Sequence, residues 1–128
     1  MTEIAFHFGA SDKLAYACRL LRKAAGSGAK VHVIGLPDIL AQLDQDLWAV
    51  SPSDFVTHCT AEADESVRRR SNVSLVAAVD PSTDVHDVLV NLGDSVPEQF
   101  EAFNRLIEVV STNSMDRDFA RSRWKFYT

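Results

Sequence analysis

Arg117, Arg121, Arg123, Trp124 and Lys125 crowd the last turns of this chain, an aromatic ring set among cations. Guanidinium and ammonium groups bind carboxylates through charge-assisted hydrogen bonds, and an indole can wall a site for an apolar anchor. In a helix, at about 100° per residue, Met115, Phe119 and Phe126 share one side. That side is expected to face the core. Arg117, Arg121, Trp124 and Lys125 fall on another side. Two readings of it stand: a docking groove for an acidic ligand, or a tryptophan packed on a neighbouring loop among solubilising charges.

Other candidate chemistry is thinner. Gly9 stands alone after the first strand, with neither GxGxxG nor GxxxxGK[ST] around it, and Gly26-Ser27-Gly28 ends a helix where a phosphate site needs one to begin. Asp80 before Pro81 reads as a turn cap. His7, His32, His58 and His86 are scattered, and no serine, cysteine or aspartate is placed by a motif to work with any of them. No catalytic residues are assigned. Cys18 lies on the apolar face of a predicted helix and is expected to be a buried thiol. Cys59 beside His58 lacks the further ligands that a tetrahedral metal site needs, so neither metal nor cofactor is expected. Arg68-Arg69-Arg70 has no aromatic residue interleaved and reads as a solvated loop.

The elements that must carry these residues alternate. Glu3 to Phe8 predicts a strand ended by Gly9, with Ser11 or Asp12 as the cap of a helix that buries Leu14, Ala17, Cys18 and Leu21. Lys30 to Ile34 is a second strand, and Asp38 to Leu47 a helix with Ile39, Leu40, Leu43 and Leu47 inward. Phe55 and Val56 begin a short extended piece, and residues 60–72 read as a loop or hairpin turn. Val73 to Val79 and Val85 to Leu92 are further strands, Pro97 to Phe103 a short helix, Leu106 to Val110 a last strand and Ser114 to Tyr127 the C-terminal helix. This order predicts a Rossmann-like α/β fold: a mainly parallel sheet with helices on both faces, in one domain spanning residues 1–128.

The balance of 13 Lys+Arg against 18 Asp+Glu gives −5, a field that repels phosphate. Residues 115–128 hold Arg117, Arg121, Arg123 and Lys125 against Asp116 and Asp118, a local +2, which leaves −7 for the remainder. An acidic protein with one basic end suits a specific acidic ligand. No apolar run is long enough to span a membrane, and Met1-Thr2-Glu3 lacks the basic start and apolar stretch of a signal peptide, so a cytoplasmic protein is expected.

Three blocks carry a family resemblance. They are Leu43-Asp44-Gln45-Asp46-Leu47-Trp48 with Pro52, Phe55 and His58; Val88-Leu89-Val90-Asn91-Leu92 with Pro97, Phe100 and Phe103; and Leu106-Ile107-Glu108-Val109-Val110 leading into Ala120-Arg121-Ser122-Arg123-Trp124-Lys125-Phe126-Tyr127. In identity, order and separation they resemble the chi subunit of bacterial DNA polymerase III holoenzyme, across essentially the whole chain. The resemblance implies a non-catalytic adaptor with two protein partners. One is the psi subunit, which ties chi to the clamp loader. The other is single-stranded-DNA-binding protein, through an acidic C-terminal tail that ends in an apolar residue and a free carboxylate. DNA would be reached only indirectly. By position, the resemblance places Trp48, Phe55, Val110, Arg121 and Trp124 in the tail-binding region, with Lys125 close by. It assigns Arg121 and Lys125 to carboxylates, and Phe55, Val110 and Trp124 to the last side chain, with Trp48 as a possible buttress.

The chain departs from the family pattern at Thr57, where many relatives have proline. The sequence ends at Thr128 where relatives usually continue; if that extension shapes the pocket, a weaker or differently divided tail affinity is expected here. Two alternatives stay open at this level: a direct single-strand binder using Arg68 to Arg70 and the C-terminal helix, and a small nucleotide-dependent enzyme using Asp12 or Asp80.

Overall fold

Runs of β-branched and leucine residues that are apolar on both faces require a covered parallel sheet, and the computed structural model supplies one. It describes residues 2–26, 30–48, 58–60, 73–76, 87–97 and 100–127 of the 128. The elements are β1 (Glu3–Ala10), α1 (Lys13–Gly26), β2 (Val31–Ile34), α2 (Pro37–Trp48), β3 (His58–Thr60), β4 (Val73–Val76), β5 (Val88–Asn91), a 3-10 turn (Phe100–Ala102), β6 (Arg105–Ser111) and α3 (Ser114–Tyr127). Six strands lie in the order β1-β6-β5-β2-β4-β3, and every neighbouring pair is parallel. The expected α/β architecture is present.

Side chains alternate across a strand, and the two sets go to two cores. Val31, Val33, Val73, Leu75, Val90, Ile107 and Val109 join Ala17, Cys18 and Leu21 of α1 and Leu40, Leu43 and Leu47 of α2. Leu89 and Leu106 instead join Phe103, with Ile4, Phe100 and Tyr127 packed beside them, on the face that α3 covers. Cys18 is the buried thiol expected, and burial pushes its pKa up. Asp12 is the cap of α1: its Oδ1 accepts from the Ala15 N–H at 3.0 Å.

Several expectations need adjustment. Gly9 does not end β1; it adopts φ 76° inside the strand, and the register with β6 shifts between His7 and Ala10. No neighbour crowds the position of a Cβ there, so the positive φ and not the space calls for glycine. The helix read at Pro97 to Phe103 is the 3-10 turn alone among the described residues. The extended piece at Phe55 and Val56, the loop after Thr60 with Arg68 to Arg70, and Asp80 lie outside the described residues. No helix among the described residues is long and apolar enough to cross a membrane.

Candidate functional site

The C-terminal helix is rotated relative to its apolar pattern. Met115, Phe119 and Phe126, expected to face the core, are exposed, and the inward positions are Ala120 and Arg123, with Asp116 and Tyr127 partly buried. The cause lies in the sheet. Glu108 sits on the α3 face of β6, an interior strand next to the edge, with no exposed surface, and a buried carboxylate requires donors. Arg123, only 2% exposed, gives it Nε at 3.1 Å, and the Tyr127 hydroxyl donates to its other oxygen. A second guanidinium nitrogen of Arg123 donates to the Asp94 carbonyl at 2.9 Å. Burial pushes the Glu108 carboxyl pKa up; the Tyr127 bond, the Arg123 charge and an Asn91 hydrogen bond oppose that rise. Burial, and then the hydrogen bond to Glu108, raise the Tyr127 phenol.

A polar cluster also secures the N-terminal turn of α3. Asn113 Oδ1 accepts from the Met115 and Asp116 N–H groups at 2.9 and 3.3 Å, forming the cap. The Asp116 carboxylate accepts from the Ser111 N–H at 2.8 Å and pairs with Lys13 of α1 at 3.2 Å. Burial alone would raise the Asp116 pKa, but the Ser111 hydrogen bond and the Lys13 charge outweigh it, and the carboxyl is held below its ordinary value. Its folded-state value is therefore below its unfolded one, so its contribution to stability is present above the ordinary aspartate value of about 3.9 and fades as pH falls further. Asp116→Asn should leave a protein whose stability, followed by urea denaturation, depends less on pH below about 4 than the parent's. Equal acid sensitivity would remove this role.

With Arg123 turned inward, the outer face of α3 keeps Arg117, Arg121, Trp124 and Lys125. Arg121 is exposed and pairs at 3.2 Å with equally exposed Asp118, three residues back. Such a pair is worth little in water and yields readily to a better carboxylate. Trp124 is 53% exposed and stands edge-on to Phe6 of β1, with ring centroids 5.2 Å apart. Phe6 in turn stacks on Phe8 at 5.6 Å and 15°, and Phe8 is 66% exposed. Among the described residues β1 is the edge strand of the sheet, so this aromatic ledge lies at the border of that face. Sequence reading missed Phe6 and Phe8. The alternation of Ile4, Phe6 and Phe8 was the available signal, since period-two spacing places all three on the face that α3 covers.

Of the six residues the resemblance assigned to the site, three meet on α3: Arg121, Trp124 and Lys125. Val110 is on β6 with no exposed surface, and by alternation from Glu108 it points to the α3 face. In this conformation it offers no surface as a wall for a last side chain, the role the resemblance gives it. Trp48 closes α2 and is described only in its backbone, while Phe55 lies outside the described residues. Among the described residues, no three His, Cys, Asp or Glu side chains gather as metal ligands. His7 shares a hydrogen bond with the Tyr16 hydroxyl and His32 packs edge-on to Phe103, contacts that serve packing.

The family model described as DNA polymerase III chi subunit, HolC, matches residues 1–128. The DNA polymerase III subunit chi of Pseudomonas aeruginosa is 30% identical over 118 residues, covering 91% of this chain and 80% of the relative.

Proposed function

Because this chain belongs to the DNA polymerase III chi-subunit family, accessory and non-catalytic, we propose that it works as an adaptor within the polymerase assembly. One side binds the acidic C-terminal tail of single-stranded-DNA-binding protein, and another engages the psi subunit and, through it, the clamp loader. The supporting observation is the outer face of α3, where Arg121, Lys125 and Arg117 flank the exposed indole of Trp124. Three exposed cations against the carboxylate of Asp118 leave a local charge of +2 on a protein whose total is −5. A tail that is acidic and ends in an apolar side chain matches both halves of that surface. In this reading Arg121 and Lys125 take carboxylates, Trp124 takes the apolar end beside Phe6 and Phe8, Val110 supports them from below, and Trp48 and Phe55 complete the region. No residues are assigned to the psi contact.

The test is capture from cell extract, with the binding protein intact or lacking its last residue. Capture of the intact protein alone supports the reading; equal capture of both contradicts it. Affinity for a tail peptide should also fall as salt rises from about 50 to about 300 mM, because the screening length shortens from about 14 Å to about 6 Å over that range. A salt-independent affinity would mean that the cations do not bind the tail. Bare oligonucleotide should bind far more weakly than oligonucleotide coated with the binding protein.

A further inference from the structure

We propose that Glu108, Arg123 and Tyr127 are positioning residues that set the rotation of α3 about its own axis, and so aim Arg121, Trp124 and Lys125 at the ligand. The inference rests on the tail-docking reading above. Asp116, Ala120, Arg123 and Tyr127, spaced four, three and four apart, form the inward face of α3. Ala120 is the one aliphatic group among them, so that face offers little aliphatic area to grip the sheet. An aliphatic contact is also indifferent to small rotations, whereas hydrogen bonds have direction.

The bonds here act at both ends of the helix. Near its C-terminus, the two oxygens of Glu108 are taken by two α3 residues about one turn apart, Arg123 and Tyr127, and Arg123 reaches on to the Asp94 carbonyl. Near its N-terminus, Asp116 is held by Ser111 and Lys13. Two pins along one axis leave no free rotation. The consequence for the outer face is a matter of leverage. A group about 8 Å from the helix axis moves about 3 Å when the helix turns by about 20°, enough to break a hydrogen bond to a carboxylate.

This arrangement is a poor way to obtain stability alone. Among the described residues, Nη2 of Arg123 is buried without a hydrogen-bond partner. Well-packed apolar side chains commonly match or exceed a buried ion pair in stability. What they do not supply is a fixed angular setting.

That contrast defines the test. The triple variant Glu108→Leu, Arg123→Met, Tyr127→Phe replaces the network by apolar groups of similar size. It should melt close to or above the parent, yet bind a synthetic peptide copying the acidic tail at least about tenfold more weakly. Its remaining affinity should also depend less on salt, because the cations no longer meet the carboxylates; a purely structural role would not change that dependence. Parent-like affinity and salt dependence in a folded triple variant overturn the proposal. Should the triple variant fail to fold, Tyr127→Phe decides, since it removes one hydroxyl. A melting point near the parent's with weakened binding supports positioning, and unchanged binding overturns it. If the parent itself does not bind the peptide, the docking reading fails and the positioning role with it. If parent and variants bind alike, only the positioning role fails.

Discussion

Arg123→Ala is expected to destabilise the protein by about 3–5 kcal/mol, the usual consequence of removing one partner of a buried ion pair. For a chain of this size that is a fall in melting temperature on the order of 10–20 °C. The loss comes from what remains. Glu108 has no exposed surface and would keep its charge with the Tyr127 and Asn91 hydrogen bonds alone. Arg121→Ala, a change of the same residue type two positions away but on the exposed side, should stay within about 0.5 kcal/mol of the parent. The defect should also depend on pH. Burial already raises the Glu108 carboxyl pKa, and the Arg123 charge opposes that rise. Without Arg123 the folded-state value climbs further above the unfolded one, so the folded variant binds more protons within that window. Its stability must then recover as pH falls, because a neutral carboxyl needs no cation. Thermal melts between pH 5 and about 8 check both size and sign. A variant that melts within 2 °C or so of the parent at neutral pH would mean that the pair contributes nothing to stability.

The second large effect concerns binding. Trp124→Ala should weaken the tail peptide by about 2 kcal/mol or more, roughly thirtyfold, as expected for a tryptophan at the centre of an interface. Its partner ring Phe6 would remain partly covered by Tyr127, which stands edge-on to it at 6.0 Å, so the fold should suffer less than the binding. The opposite flank of α3 provides the control. Met115, Phe119 and Phe126 are exposed there and are as apolar as the ledge beside Trp124. Phe119→Ala should leave tail affinity within about twofold of the parent. If Phe119→Ala abolishes binding and Trp124→Ala does not, the tail occupies the other flank.

Much of the fold was legible because its signals are local. The run Val31 to Ile34 and the inward leucines of α2 obey simple periodicities, and Asp12, one of the two caps read for α1, is a side chain that hydrogen-bonds the adjacent backbone. The rotation of α3 was not legible by the same rule. Apolar residues at helical spacing are read as inward, and Met115, Phe119 and Phe126 satisfy that pattern while facing out. The deciding residue lay elsewhere, in the run Leu106-Ile107-Glu108-Val109-Val110. A glutamate inside a strand buried on both faces must find donors. Asking where they come from would have pointed to the arginines and tyrosine of the following helix. Similarly, Phe6 and Phe8 were read only as strand residues, because exposure on an edge strand depends on the sheet order. That order is set by long-range pairing and leaves no local trace. The family blocks named Arg121, Trp124 and Lys125, which α3 carries together, but alignment by position could not tell that Val110 has no surface.

Calorimetric titration of one tail peptide into the parent and into Arg121→Ala tests the docking surface most directly, with the same peptide lacking its last residue as the third arm. The account predicts measurable binding by the parent, a loss of about 1–3 kcal/mol in Arg121→Ala from removal of a charge-assisted bond, and little binding of the shortened peptide. Equal affinity of parent and Arg121→Ala, with melting points unchanged, would contradict it.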